Sequence, residues 1–157
     1  MKKTIEPPSG GFFVRLEDLG IYAVADHALW IGNCHNACDF RALFDLGIRA
    51  IVQLAMEEKA VQPPRELMYF RFPLTDGAGN DPEMLRLAVG TLANLIRLRI
   101  PAIVCCSAGL SRSPTVVAAA LSQLEGLALE ECLKRITMSH PADVSPGLIS
   151  DLQALCG

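Results

Sequence analysis

Cys106 and Arg112 bracket the stretch Cys-Ser-Ala-Gly-Leu-Ser-Arg, with Ser113 and Pro114 after it and the apolar run Ile103–Cys105 before it. A thiol at one end of a short loop of small residues and a guanidinium at the other suit an anion with several oxygens. If the loop joins a strand end to a helix start, the N–H groups from Ser107, Ala108, Gly109, Leu110, Ser111 and Arg112 can converge on one point, and the helix dipole adds its positive end. Gly109 can take backbone angles that turn an N–H inward. Pro114 fits a first helical turn, where its missing N–H costs nothing. Arg112 supplies a planar fork for two phosphate oxygens. Cys106, on the floor of the cradle, sees the same positive field, which favours thiolate over thiol. The expected chemistry is a nucleophile placed beneath a bound phosphate.

Cys-x5-Arg followed by Ser113 resembles the signature loop of the cysteine-dependent protein phosphatases, and the form CSAGLSRS is most similar to their dual-specificity branch. The resemblance implies that Cys106 attacks phosphorus to form a thiophosphate intermediate, that Arg112 holds the phosphoryl oxygens, and that the Ser113 hydroxyl stabilises the departing thiolate. It implies neither a metal nor a cofactor. It also implies a general acid, an Asp on a mobile loop upstream of the cysteine. Asp76, in FPLTDGAGND, stands thirty positions before Cys106 in a loop that follows a strand. Asp81 is the rival, but a residue before Pro82 at a helix start reads as an N-cap, so Asp76 is the expected acid. The segment LWIGNCHNACDFRALFDLGIRAIVQL is similar to the family's early strand, helix and strand, which extends the resemblance from about Ile21 onward.

The family usually carries His where this chain has Cys105, and that His bonds loop carbonyls. Cys105 reads as a small buried packing residue. A redox alternative would trap an oxidised Cys106 with Cys34 or Cys38, on an early loop near the carboxyl edge of the sheet. No residue from Ser107 to Ser111 is basic, unlike the lysine-bearing loops of the family's phosphoinositide phosphatases. The implied substrate is therefore phosphotyrosine, and phosphoserine or phosphothreonine, in proteins. Two other readings compete: a catalytically weak or dead phosphate-binding module, and a rhodanese-type sulfur carrier, which leaves Asp76 and Ser113 without a role. The joint presence of Cys106, Arg112, Asp76 and Ser113 favours an active phosphatase.

These side chains need a scaffold that brings a strand end to a helix start. The apolar runs Ile48–Leu54, Leu67–Phe72 and Pro101–Cys105 read as strands, the last as the central one, with shorter runs at Ile21–Val24 and Ala28–Ile31. Helices are expected from Asp39 to Leu46, ended by Gly47; from Pro82 to about Arg99, with Leu85, Val89, Leu92, Leu95 and Ile96 on one face; and at Ser113–Leu124, Leu129–Met138 and Pro146–Leu155. Strands alternating with helices predict an α/β fold with a mostly parallel central sheet flanked by helices, and ligands bind such sheets beyond the carboxyl ends of the strands, where Cys106 falls. Residues 1–11 are expected to form a flexible N-terminal arm and residues 12–157 a single dual-specificity phosphatase-like catalytic domain.

The totals agree with this reading. A chain of 157 residues, half of them apolar and with a net charge of −3, suits one globular domain without the basic bias of a nucleic-acid or membrane-surface binder. No apolar stretch reaches the length of a membrane span and no secretory leader is evident, so a cytoplasmic address is expected by default. The six cysteines are expected as reduced thiols, because a core of this size needs no disulfides. Cys34, His35 and Cys38 lack the second ligand pair of a structural zinc site. His27, His35 and His140 are expected as surface or capping residues, and Cys132 as core.

Overall fold

The computed structural model describes residues 4–5 and 14–156. Two short strands, β1 (Thr4–Ile5) and β2 (Val14–Arg15), pair antiparallel; the rest of the arm expected over residues 1–11 lies outside the described residues. A 3-10 turn at Leu16–Leu19 leads to β3 (Tyr22–Ala23) and β4 (Leu29–Gly32). After α1 (Phe40–Asp45), the chain alternates through β5 (Ala50–Ala55), β6 (Met68–Leu74), α2 (Pro82–Arg97), β7 (Ala102–Cys105) and α3 (Arg112–Glu125). It ends in α4 (Leu129–Thr137) and α5 (Pro146–Cys156).

The main sheet runs β3-β4-β7-β5-β6, antiparallel between β3 and β4 and parallel elsewhere. Every residue of β4, β5 and β7 is buried, which is why these strands read as apolar runs, broken only by Gln53: both faces of the parallel sheet are covered. β7 is the central strand. Gly32, Cys105 and Gln53 lie level at its carboxyl end, and the chain leaves the sheet there as the loop that begins at Cys106.

The two adjacent cysteines part company because side chains alternate across a strand. Cys106 joins the core formed with α2 to α5 through Val52, Val104, Val116 and Leu148. Cys105 joins the opposite core, with Trp30, Leu43, Ile51 and Ile103. α3, which receives the loop, is buried from Arg112 to Ser122 and closes on Gly126 in the left-handed conformation. α2 starts where Asp81 accepts a hydrogen bond from the Glu83 N–H at 2.9 Å, with Pro82 in its first turn. No helix among the described residues is long and apolar enough to cross a membrane.

Candidate active site

β7 and α3 hold the loop Cys106–Arg112 between them. Gly109 sits at φ +76°, and a Cβ there would lie 2.8 Å from the Gly32 carbonyl oxygen at the end of β4, so only glycine fits this turn. Ser111 occupies the N-cap position of α3, yet its hydroxyl makes no capping bond. It donates instead to Asp76 Oδ1 at 2.6 Å while accepting from the Ser145 N–H at 3.0 Å. The first N–H groups of α3 are thereby left to an anion in the loop.

A cleft opens above the loop, lined by Cys106, Ser107, Ala108, Leu110, Ser111 and Arg112, with Glu57, Asp76 and Asp143 on its other walls. Three of the four residues expected to act in catalysis, Cys106, Arg112 and Asp76, thus meet in one cleft. The fourth, Ser113, next to Arg112 in α3, does not line the cleft and is fully buried. Its hydroxyl finds no hydrogen-bond partner among the described residues, a costly state for a buried donor and one that functional sites retain. Asp81 is engaged as the cap of α2, as expected.

Arg112 is 4% exposed and fixed from behind. Its Nη1 donates to Glu57 Oε2 at 2.7 Å and to the Leu74 carbonyl at 2.9 Å, and its Nη2 donates to Glu57 Oε1. Nε has no partner among the described residues. Glu57 therefore takes the end of the guanidinium fork and leaves the side formed by Nε–H and the second Nη2 hydrogen for two oxygens of a ligand. The same contact, ahead of all other causes, holds the Glu57 carboxyl down at about 2 against an ordinary 4.5.

Glu57 belongs to the loop after β5, and Gln53 sets that loop. This polar residue, buried in an apolar strand, donates to the Lys59 carbonyl at 2.8 Å and accepts from the Val61 N–H at 3.0 Å and from the Tyr69 hydroxyl. Arg71 reaches the Glu58 carbonyl at 3.2 Å from the outer side. Glu58 in turn accepts from the Ser107 hydroxyl at 2.7 Å. The Asp76 loop is braced as well: Asn80 bonds Thr75 and Gly77 across it, and the Gly79 N–H donates to Asp151 of α5 at 2.9 Å.

The cysteines at positions 34, 38, 105, 106 and 132 are free thiols. Cys105 is fully buried and its thiol approaches the Val52 carbonyl at 3.6 Å. Burial, and then the neighbouring thiols, push it far up, so it stays protonated. Cys34 lies beside the Cys106–Arg112 loop, its N–H donating to the Ser107 carbonyl at 3.0 Å; burial first and Glu58 second raise its thiol too. Among the described residues no three His, Cys, Asp or Glu side chains gather as metal ligands would.

No protein-family model and no curated protein matches the chain by sequence, but solved structures do. Human DUSP28 superposes with a TM-score of 0.75 at 25% identity, over 86% of this chain and 91% of its own. The human tyrosine phosphatase-like serine/threonine/tyrosine-interacting protein gives 0.70 at 18% identity, over 82% and 90%. PTPMT1 in complex with PI(5)P gives 0.65 at 20% identity, over 83% and 91%. The chain has the dual-specificity phosphatase fold. With it the chain joins the cysteine-dependent phosphatase superfamily as a single-domain α/β protein.

Within this phosphatase fold, several site residues escaped sequence reasoning. Glu57 and Glu58 carried a signal that was there to use: two acids directly beyond the carboxyl end of a buried strand, where sheets of this kind bind ligands. Gln53 was marked by being the one polar residue in Ala50–Ala55. Ser111 is expected only to lend its N–H to the cradle; that its hydroxyl holds Asp76 is new. His140, read as a surface or capping residue, is 5% exposed and stacks on Tyr22 with ring centroids 4.6 Å apart; nothing in the run around it distinguishes it from a loop histidine.

Proposed function

We propose that the protein is a cysteine-dependent protein phosphatase that hydrolyses phosphotyrosine, and phosphoserine or phosphothreonine, through a cysteinyl-phosphate intermediate. The observation that carries this reading is the convergence of Cys106, Arg112 and Asp76 on one cleft above a loop whose helix N-terminus is left uncapped by side chains. The phosphoryl group sits in the cradle of N–H groups from Ser107 to Arg112, with two oxygens on the free side of the Arg112 fork. The Cys106 thiolate attacks phosphorus, forming the S–P bond as the P–O bond to the substrate breaks. Asp76, in its acid form, gives its proton to the departing oxygen. Ser111 holds one carboxyl oxygen of Asp76 and so leaves the other for this transfer. In the second step Asp76 takes a proton from a water that attacks phosphorus. The S–P bond breaks, and the Ser113 hydroxyl donates to the leaving sulfur. Residues of this chain suffice for each step, with phosphoproteins of the cytoplasm as the substrates.

The test is metal-free hydrolysis of an activated aryl phosphate, run as a pH profile on the wild type, Cys106→Ser and Asp76→Asn. Turnover is expected in the wild type and none in Cys106→Ser, while Asp76→Asn slows poor leaving groups far more than activated ones. If wild type and Cys106→Ser are both silent yet bind tungstate, the protein is a phosphate-recognition module and the catalytic reading fails.

A further inference from the structure

A loop whose N–H groups point inward must turn its carbonyls outward, because the C=O of one residue and the N–H of the next lie antiparallel in a trans peptide. Each outward carbonyl then needs a donor behind the loop. The Ser107 carbonyl accepts from the Cys34 N–H at 3.0 Å and the Leu110 carbonyl from the Asp143 N–H at 2.9 Å. The Ser111 carbonyl accepts from the Thr115 N–H at 3.2 Å and from its hydroxyl at 2.7 Å. The Gly109 carbonyl belongs to the same set, and His140 is brought to it from two sides: Asp143, three residues on, is tied to Leu110, and Tyr22, on which the ring stacks, pairs with Ile31 beside the Gly32 carbonyl that Gly109 abuts.

His140 is built into this place. Its ring is sandwiched against Tyr22 at an interplanar angle of 15°, and its own N–H is tied to the Ile136 carbonyl at 3.0 Å. Both ring nitrogens are shut off from water, and neither completes a hydrogen bond of ordinary geometry among the described residues. Burial, the larger influence, pushes the imidazole towards its neutral form against the opposing pull of the Gly109 carbonyl. A neutral imidazole still carries one N–H, and a buried donor takes the acceptor it faces. Cys105 gives no help from the strand side, since its thiol points to the opposite core and the Val52 carbonyl.

We propose that His140 is a positioning residue of the phosphate cradle: its ring N–H donates to the Gly109 carbonyl and thereby keeps the Leu110 N–H turned towards the bound oxyanion. The inference rests on the reading of this loop as an oxyanion cradle. The experiment measures tungstate affinity by calorimetry on the full chain for the wild type, His140→Phe, His140→Asn and His140→Gln. Phe keeps a ring for the stack and removes the N–H; the two amides restore an N–H at the place of either ring nitrogen. Tungstate binding is expected to weaken about 5–10-fold in His140→Phe, the loss of roughly one hydrogen bond, with the thermal midpoint little changed, and one amide variant should recover most of it. Unchanged affinity in His140→Phe overturns the inference alone, as do amide variants of normal stability that bind no better than Phe. Failure of the wild type to bind tungstate overturns the cradle itself. Should His140→Phe not fold, the wild type decides by NMR: a slowly exchanging ring N–H that shifts on tungstate saturation supports the role, and one that is fast-exchanging or indifferent to tungstate overturns it.

Discussion

The Glu57–Arg112 pair joins one buried partner to one half open to solvent, the side chains being 4% and 53% exposed. For the guanidinium the pairing is a necessity, since a buried charge without a partner is strongly unfavourable. For Glu57 it is a gain, because the contact draws its carboxyl down from 4.5 to about 2. A carboxyl whose folded-state pKa is depressed contributes stability that is complete above its unfolded value and vanishes as pH falls through its folded one. The contribution of this pair is therefore present at neutral pH and lost between about 4.5 and about 2. Glu57→Gln should be less stable than the wild type at pH 7 by about 1 kcal/mol, the upper end for an ion pair exposed on one side. Urea titrations at pH 7, 5 and 3 should show that gap narrowing at pH 3; a gap that holds constant from pH 7 to 3 would assign it to packing instead.

At the scale of elements, two glycines share a backbone conformation and differ in what surrounds them. Gly47, which ends α1, and Gly109 have φ of +74° and +76°, but a Cβ at 47 meets nothing within 4 Å whereas one at 109 strikes the β4 backbone. Gly47→Ala should cost about 1 kcal/mol, the left-handed strain alone. Gly109→Ala should cost about 2–5 kcal/mol, since overpacking against an immovable strand end is added to that strain. Chemical unfolding of the two variants checks the difference, and equal costs would mean that the loop yields freely. The same contrast explains what the sequence made legible. Gly47 could be read as a helix stop, Asp81 with Pro82 as a helix start, and Ile48–Leu54 and Pro101–Cys105 as buried strands, because each signal is local. Cys106 and Arg112 could be placed in one loop from their spacing, and Asp76 was a candidate acid through the family resemblance, which gives its distance to Cys106 a meaning. The bond from Ser111 to Asp76 spans 35 positions and the one from Arg112 to Glu57 spans 55. Such partners are chosen by the order of strands in the sheet, which no local pattern encodes: position alone marks Glu57 and Gln53 as unusual, but only the fold pairs Glu57 with Arg112 and Gln53 with the loop that carries it.

Across the whole molecule, the cradle is a place where the fold carries unfinished business: Arg112 Nε and Ser113 Oγ are buried donors without partners among the described residues, and the start of α3 lacks a side-chain cap. An oxyanion that satisfies the Nε–H and the uncapped N–H groups binds the native state and has no equivalent site on the unfolded chain. Stability must then rise with its concentration by mass action, reaching about 2.7 kcal/mol at a hundred times the dissociation constant. For a domain of this size that corresponds to a rise in thermal midpoint of about 5–11 °C. Cys106→Ser should show nearly the full rise with tungstate, because the serine hydroxyl leaves the N–H cradle and the Arg112 fork in place. Arg112→Ala should lose most of it, since the bidentate side of the fork is gone. A rise of equal size in Arg112→Ala would locate the tungstate elsewhere on the molecule, and would separate the anion's binding from the loop between β7 and α3.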